Sequence, residues 1–427
     1  MPTFEQHIVH LDIYEDRYEL HDGEVVSIFR QGKQNKQTSQ NYQDIIRSLD
    51  DGFLENLYDK SKTMDYSLLS QENANIIRDL VDGITSENGR SLLGVAFLQM
   101  VIKAIKPNQT IRLHKGTTRN NSFSWVEGIS MRTLDATYTT PFLREKDLVK
   151  LNKYGAFMTR TLAENYPYTS LYKADMKGPF AEWIKIVNAL ENNSLPPDLG
   201  LGYLISILRN RSDKFLELSN EVTELSHNKK FTYNSAFSKI TTFFNQTNYS
   251  ARAFEVVMHA FMQTIQNSTI SELELAPLSQ MRSANKKHGN VGDIELLYYN
   301  KVVESWDAKY GKPYLRDELE ELRDKLLTHS EVQLLGFVVD SEPDLRPDIQ
   351  RRINEIEAEF NVKLNIISFS NWVKLQIDRF EISDIDAFAN SWVQAIVESF
   401  AQKRTTMAPI DEPCDQWLSD LKEILSN

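Results

Sequence analysis

Two neighbouring apolar stretches, residues 291–299 and 302–310, carry charge where a buried strand should have none. Asp293 and Glu295 interrupt the first, and Glu304, Asp307 and Lys309 the second. Alternate strand residues face the same way, so Asp307 and Lys309 share one face and Glu304 takes the other. A two-residue turn at Asn300-Lys301 sets Asp293 opposite Ala308, between Asp307 and Lys309. A turn one residue longer or shorter sets it opposite one of those two instead. In each register two carboxylates and an ammonium converge at one end of a hairpin. Glu295 shares the face of Asp293 and is a reserve ligand, while Glu304 falls outside the group.

The pattern around this hairpin is that of a mixed domain. A helix is expected at 249–266, then the two strands, a helix at 313–328, a strand at 332–340, a helix at 348–360 and a strand at 363–368. From Asn371 the chain is mostly helical. Such alternation implies an α/β (α+β) domain over residues 245–427, with a central mixed sheet flanked by helices. Upstream, residues 1–90 form an acidic polar segment with short strand-like pieces such as Val25-Val26-Ser27-Ile28-Phe29. Residues 91–225 are largely helical, with breaks at Lys106-Pro107 and Leu195-Pro196-Pro197. The polar run Ser226-His227-Asn228-Lys229-Lys230 is the linker candidate. No repeat, low-complexity tract or membrane-length apolar run occurs, so no membrane partner is expected.

Taken whole, the charge points away from nucleic acid: 48 Lys+Arg stand against 60 Asp+Glu, a formal −12. By region the sign changes. Residues 101–180 hold 13 basic and 6 acidic side chains, a net +7, against −8 in 1–100, −1 in 181–300 and −10 in 301–427. Fields act over a Debye length of about 8–10 Å, so a basic face can serve on an acidic molecule. Inside the basic block, 140–150 reads as a helix with Pro141 in its first turn. A hairpin then runs 149–152, turns at Lys153-Tyr154-Gly155 and returns over 156–160. A helix followed by a basic hairpin resembles the recognition helix and wing of a winged helix-turn-helix. That resemblance aims Arg144, Lys146, Lys150, Lys153 and Arg160 at DNA. The competing reading is an ordinary helix–hairpin with a solvated, charge-rich face.

Other classes are excluded. A single cysteine, Cys414, leaves no disulfide scaffold and no Cys-based zinc or iron–sulfur site. No GxxxxGK[ST] phosphate loop and no HxH or HExxH spacing is present. Met1-Pro2-Thr3-Phe4-Glu5 lacks a basic-then-apolar leader, so a reducing, prokaryotic cytoplasm is expected. The six tryptophans are expected in cores or interfaces.

Two carboxylates a strand spacing apart make a hard oxygen site suited to Mg2+. Phosphoryl chemistry depends chiefly on positioning and charge stabilisation, so a metal and one lysine suffice. Here the residues resemble a family. Asp293, thirteen intervening residues and Asp307-Ala308-Lys309 are similar to the PD-(D/E)XK nuclease motif, with Gly292 where the name-giving proline stands. The following helix, with leucines at 315, 319, 322 and 326, and the strand at 332–340 keep the family's order. An acidic residue from the preceding helix often joins the metal site; Glu255 supplies it, beside a core stripe of Phe254, Met258, Phe261 and Ile265.

The resemblance implies that Asp293 and Asp307 bind Mg2+, Glu255 assists, and Lys309 positions the hydrolytic water. It further implies a type II restriction endonuclease, cutting double-stranded DNA to 5′-phosphate and 3′-hydroxyl ends as a homodimer alongside a cognate methyltransferase. The basic, amide-rich segment 279–290 reads as a DNA contact through Arg282, Asn285, Lys286 and Lys287, while His288 in it is a solvated loop histidine. Three alternatives stay open. One is a repair or phage-defence nuclease of the same superfamily, and another a non-catalytic winged-helix DNA-binding regulator. The third is residue by residue: a plain Asp307–Lys309 ion pair, a solvent-facing Glu255 and an exposed polar loop.

Overall fold

Polar and apolar side chains alternate through residues 17–21, which gives a strand with one apolar face. β1 (Val9–Ile13), β2 (Arg17–Asp22) and β3 (Val25–Arg30) form an antiparallel sheet in that order. The computed structural model describes residues 9–84, 89–115, 124–149, 151–158, 160–278, 290–402 and 414–427. One face of β2 buries Tyr18 and Leu20 with Phe29, Leu113 and Trp125; the other presents Arg17, Glu19 and His21.

The helices that follow are α1 (Lys36–Asp50), α2 (Phe53–Lys60), α3 (Gln71–Asp82) and α4 (Arg90–Ile105). Asn35 and Ser70 cap α1 and α3 by accepting from Thr38 N and Asn73 N. α4 is buried from Leu92 to Lys103 and is therefore apolar all round, the property of a central helix. Its one amide, Gln99, donates to Ile111 O and accepts from Trp183 Nε1, at 2.8 and 2.7 Å. α5 (Met131–Leu134), a π-helical turn (Asp135–Thr139) and α6 (Thr140–Glu145) come next, then α7 (Phe180–Glu191) and α8 (Pro197–Asn228).

The chain divides into two compact units, Met1–Lys214 and Phe215–Asn427, and the division falls within α8. The polar run at 226–230 is thus the end of a helix and the residues just after it, not a linker. The winged-helix expectation is also corrected. Thr140 does start a helix, but it stops at Glu145, and no strand forms among the described residues of 149–160. Short 3-10 turns, Ala156–Met158 and Arg160–Ala163, stand there instead. The cause is Asp135, fully buried. Its carboxylate accepts from the Thr139 and Thr140 hydroxyls and from Phe157 N, at 3.2, 2.8 and 3.3 Å. The last of these takes a backbone donor that a hairpin ladder would need. Gly155 lies at φ +91°, and a Cβ there would come within 2.3 Å of Asp135 Oδ2.

The second unit has the mixed α/β architecture expected of it. α9 (Tyr233–Gln246) and α10 (Ser250–Ser268) precede β4 (Glu274–Leu275), β5 (Ile294–Tyr298) and β6 (Lys301–Lys309). α11 (Arg316–Leu326), β7 (Leu334–Val339), α12 (Pro347–Phe360) and β8 (Lys363–Ser368) follow, then α13 (Phe369–Arg379), α14 (Ile385–Gln402) and α15 (Cys414–Ser426). The sheet runs β4-β5-β6-β7-β8, antiparallel as far as β6 and parallel from β6 to β8. β7, flanked by β6 and β8, is apolar throughout, as a strand covered on both faces must be. One face packs on leucines and isoleucines of α11 and α12. The other packs on α9, α10, α13, α14 and α15, where Trp306, Trp372, Trp392 and Trp417 are fully buried. Among the described residues no helix is long and apolar enough to cross a membrane.

Candidate active site

The β5–β6 turn is Tyr299-Asn300, one residue earlier than the sequence suggests. Both residues have positive φ, 48° and 61°, the backbone of a primed hairpin turn. A bulge between Leu296 and Leu297 then shifts the register, so Ile294 pairs with Trp306. Continuing that register sets Asp293 against Asp307. Asp293 Oδ2 accepts from Ala308 N at 2.9 Å, which fixes the carboxylate between Asp307 and Lys309. Lys309 Nζ lies 2.8 Å from Asp307 Oδ2. Two acids and the lysine therefore meet at the C-terminal end of β6. β6 pairs antiparallel with β5 and parallel with β7, and the group sits at its carboxyl end, the end of the strands beyond which open α/β sheets bind ligands.

The bend that delivers Asp293 is held from three sides. Glu295 Oε1 accepts from Val291 N at 2.6 Å, and Lys325 Nζ donates to Val291 O at 3.0 Å. A Cβ at Gly292 would lie 2.4 Å from Ser305 Oγ, so glycine is the residue that lets the bend approach β6. Glu295 is accordingly a clamp on the backbone and not a reserve metal ligand. Glu304 lies outside the site, as its parity requires. Buried on the opposite face, it accepts from Trp306 Nε1 at 2.7 Å and from Arg379 at 2.8 and 2.7 Å.

Glu255 is not solvent-facing. It is partly buried on α10 and closely paired with the buried Arg252 one turn before it. Arg252 went unremarked in the sequence, although its i,i+3 spacing from Glu255 is the available signal. Burial first, then the charges of Asp307 and Glu255, push Asp293 well above the usual carboxylate range. Burial opposes ionisation of Asp307 as well, but a proton shared from Asp293 and the Lys309 ammonium hold it below that range. Lys309 is kept charged: against the burial penalty, Asp307 raises its affinity for the proton. The site thus holds one carboxyl inclined to be neutral beside one kept ionised.

Asp307 Oδ1 is buried and has no hydrogen-bond partner. A buried acceptor without a donor is costly, and a cation is the natural means of satisfying it. Two hard carboxylates with one such oxygen fit a Mg2+ ion. Asp293, Asp307 and Glu255 do not close to a tight group of three. Among the described residues the group whose ligand atoms lie within 4.8 Å of one another is His10, Asp12 and His21.

The expected DNA contacts are placed only in part. Arg282, Asn285, Lys286 and Lys287 lie outside the described residues, as do Lys150 and the side chain of Arg160. Arg144 is exposed and donates to Leu151 O, while Lys153 is exposed with its ammonium 4.9 Å from the Tyr154 ring. Neither sits on a recognition helix or a wing. Other cations of the basic block are held internally. Lys103 pairs with Glu191 at 3.2 Å, Lys106 with Asp44 at 2.7 Å, and Arg112 donates to Tyr168 O and Asn188. No protein-family model matches the chain, and no curated protein matches it in sequence. The functional reading rests on the geometry.

Proposed function

We propose that this chain is a Mg2+-dependent endonuclease acting on double-stranded DNA. Its second unit resembles the PD-(D/E)XK core, and it acts in the manner of a type II restriction enzyme. The observation that carries the reading is the convergence of Asp293, Asp307 and Lys309 at the C-terminal end of β6 in a mixed sheet, with one Asp307 oxygen unfilled. Asp293 and Asp307 would hold the Mg2+, whose charge when bound would stabilise a phosphodiester under attack and acidify water. Lys309, held protonated by Asp307, donates to the oxygen of the attacking water and offsets charge on the phosphate. Glu255, anchored by Arg252, adds a third carboxylate from α10. The restriction reading brings with it a second copy of the chain for the opposite strand, a cognate methyltransferase and a cytoplasmic setting.

The test is incubation of the purified chain with unmethylated phage DNA and Mg2+. Discrete, reproducible bands with ligatable 5′-phosphate ends are expected, and Asp293→Ala or Asp307→Ala should give none. Cutting without a fixed sequence moves the reading to a repair or phage-defence nuclease. Intact DNA across all divalent metals removes it.

A further inference from the structure

His10 and Asp12 alternate along β1 and so share a face, and the sheet register sets His10 directly opposite His21 on β2. Their imidazoles stack, with centroids 4.4 Å apart and planes 3° from parallel. Asp12 Oδ2 lies 3.2 Å from His21 Nε2 and 3.7 Å from His10 Nε2. Glu19, opposite Asp12, stands next in line at 3.9 Å from His21 Nε2, but it is held by Arg17 at 2.5 Å. His21 Nε2 is buried and makes no hydrogen bond despite the nearby carboxylate. Two imidazole nitrogens and a carboxylate oxygen thus lie within 4.8 Å of one another, and a turn of the stacked rings about their side-chain bonds aims both nitrogens at one ion.

We infer that this hairpin face is a binding site for a divalent transition cation of the Zn2+ type, ligated by His10, Asp12 and His21. Zn–N and Zn–O bonds of about 2.0–2.1 Å put tetrahedral ligand atoms about 3.3–3.4 Å apart. The observed 3.2 and 3.7 Å bracket that edge. Imidazole ligands favour Zn2+, Co2+ and Ni2+ over Mg2+, which prefers oxygen and its own waters. The ligand set therefore separates this site from the carboxylate site of the second unit by chemistry. Half of the His10 side chain is open to solvent, which leaves a fourth coordination position for water or a small anion. The ladder of β1 and β2 holds the three backbones in register, so only the side chains need turn to bring the ligands onto one ion.

The experiment is equilibrium dialysis of the full chain against Zn2+ in an excess of Mg2+, with bound zinc measured directly. Wild type should take up one equivalent more than His21→Ala or Asp12→Asn, each of which weakens that binding by at least about tenfold. Asp293→Asn with Asp307→Asn should keep the equivalent. Co2+ in place of Zn2+ should give tetrahedral visible absorption that the two hairpin variants lose. Circular dichroism of the metal-free variants checks the fold, and His10→Asn at the most exposed ligand serves where His21→Ala does not fold. Zinc uptake unchanged by the hairpin variants, or displaced by millimolar Mg2+, would overturn the assignment.

Discussion

At Asp307 one carboxylate oxygen meets the Lys309 ammonium at 2.8 Å while the other is buried without a donor. Lys309→Ala should lower cleavage about a hundredfold or more while leaving DNA binding in place. Gel-shift affinity and cleavage rate measured on the same preparation separate the two, and retained cutting would remove Lys309 from the chemistry. His114, by contrast, went unremarked in the sequence. It is buried against Phe157 with Nδ1 lacking a hydrogen-bond partner, and burial, then Arg132, lower its pKa to about 4. In the unfolded chain the imidazole titrates near 6.5. A depressed pKa contributes stability that is complete above the unfolded value and lost as pH falls toward the folded one. Stability should thus drop between about pH 6.5 and pH 4, by up to about 3 kcal/mol. His114→Leu should flatten that part of the profile. An unchanged slope in chemical denaturation would assign the acid sensitivity elsewhere.

Elements were legible where the information is local. Charged residues inside an apolar, period-2 pattern marked β5 and β6, and a helix with regular leucines marked α11. The exact turn was not legible, because two positive-φ residues and a bulge decide it and neither follows from residue type. The stretch 149–160 shows the opposite case. Its pattern suits a hairpin, but Asp135, distant in sequence, binds the amide of Phe157 and forces compact turns. Asp135→Ala strands two buried hydroxyls and that amide, and should cost about 2–4 kcal/mol. Gly155→Ala meets both the positive φ and the Asp135 oxygen, and should cost about as much. In a double-mutant cycle by urea denaturation the two should be strongly non-additive, since removing Asp135 opens the space the new methyl needs. Additive costs would show that the two positions act independently.

Across the molecule, each unit carries its own core. Residues up to Leu208 fill the cores of the first, and residues from Phe215 onward those of the second. Two calorimetric transitions are expected. Mg2+ should raise one and Zn2+ the other, because a ligand stabilises only the folded state that binds it. Asp307→Asn should abolish the Mg2+ shift alone and His21→Ala the Zn2+ shift alone. A single transition moved equally by both ions would mean that the units unfold together. The regional charge of +7 in residues 101–180 carries less weight here, since Lys103, Lys106 and Arg112 are bound to partners inside their own unit.

Residue order alone determined the mixed second unit and the approach of Asp293 to Asp307 and Lys309. Strand periodicity and a short turn link positions that are close along the chain. Only the tertiary structure decided the roles of the remaining charges. Glu295 became a backbone clamp, Glu304 a partner of Arg379, and Glu255 a partner of Arg252. It also brought His10, Asp12 and His21 together, and turned a readable hairpin into a loop around Asp135. A buried charge takes whichever donor or cation the fold brings within about 3 Å, and that choice is not encoded in its neighbours along the chain.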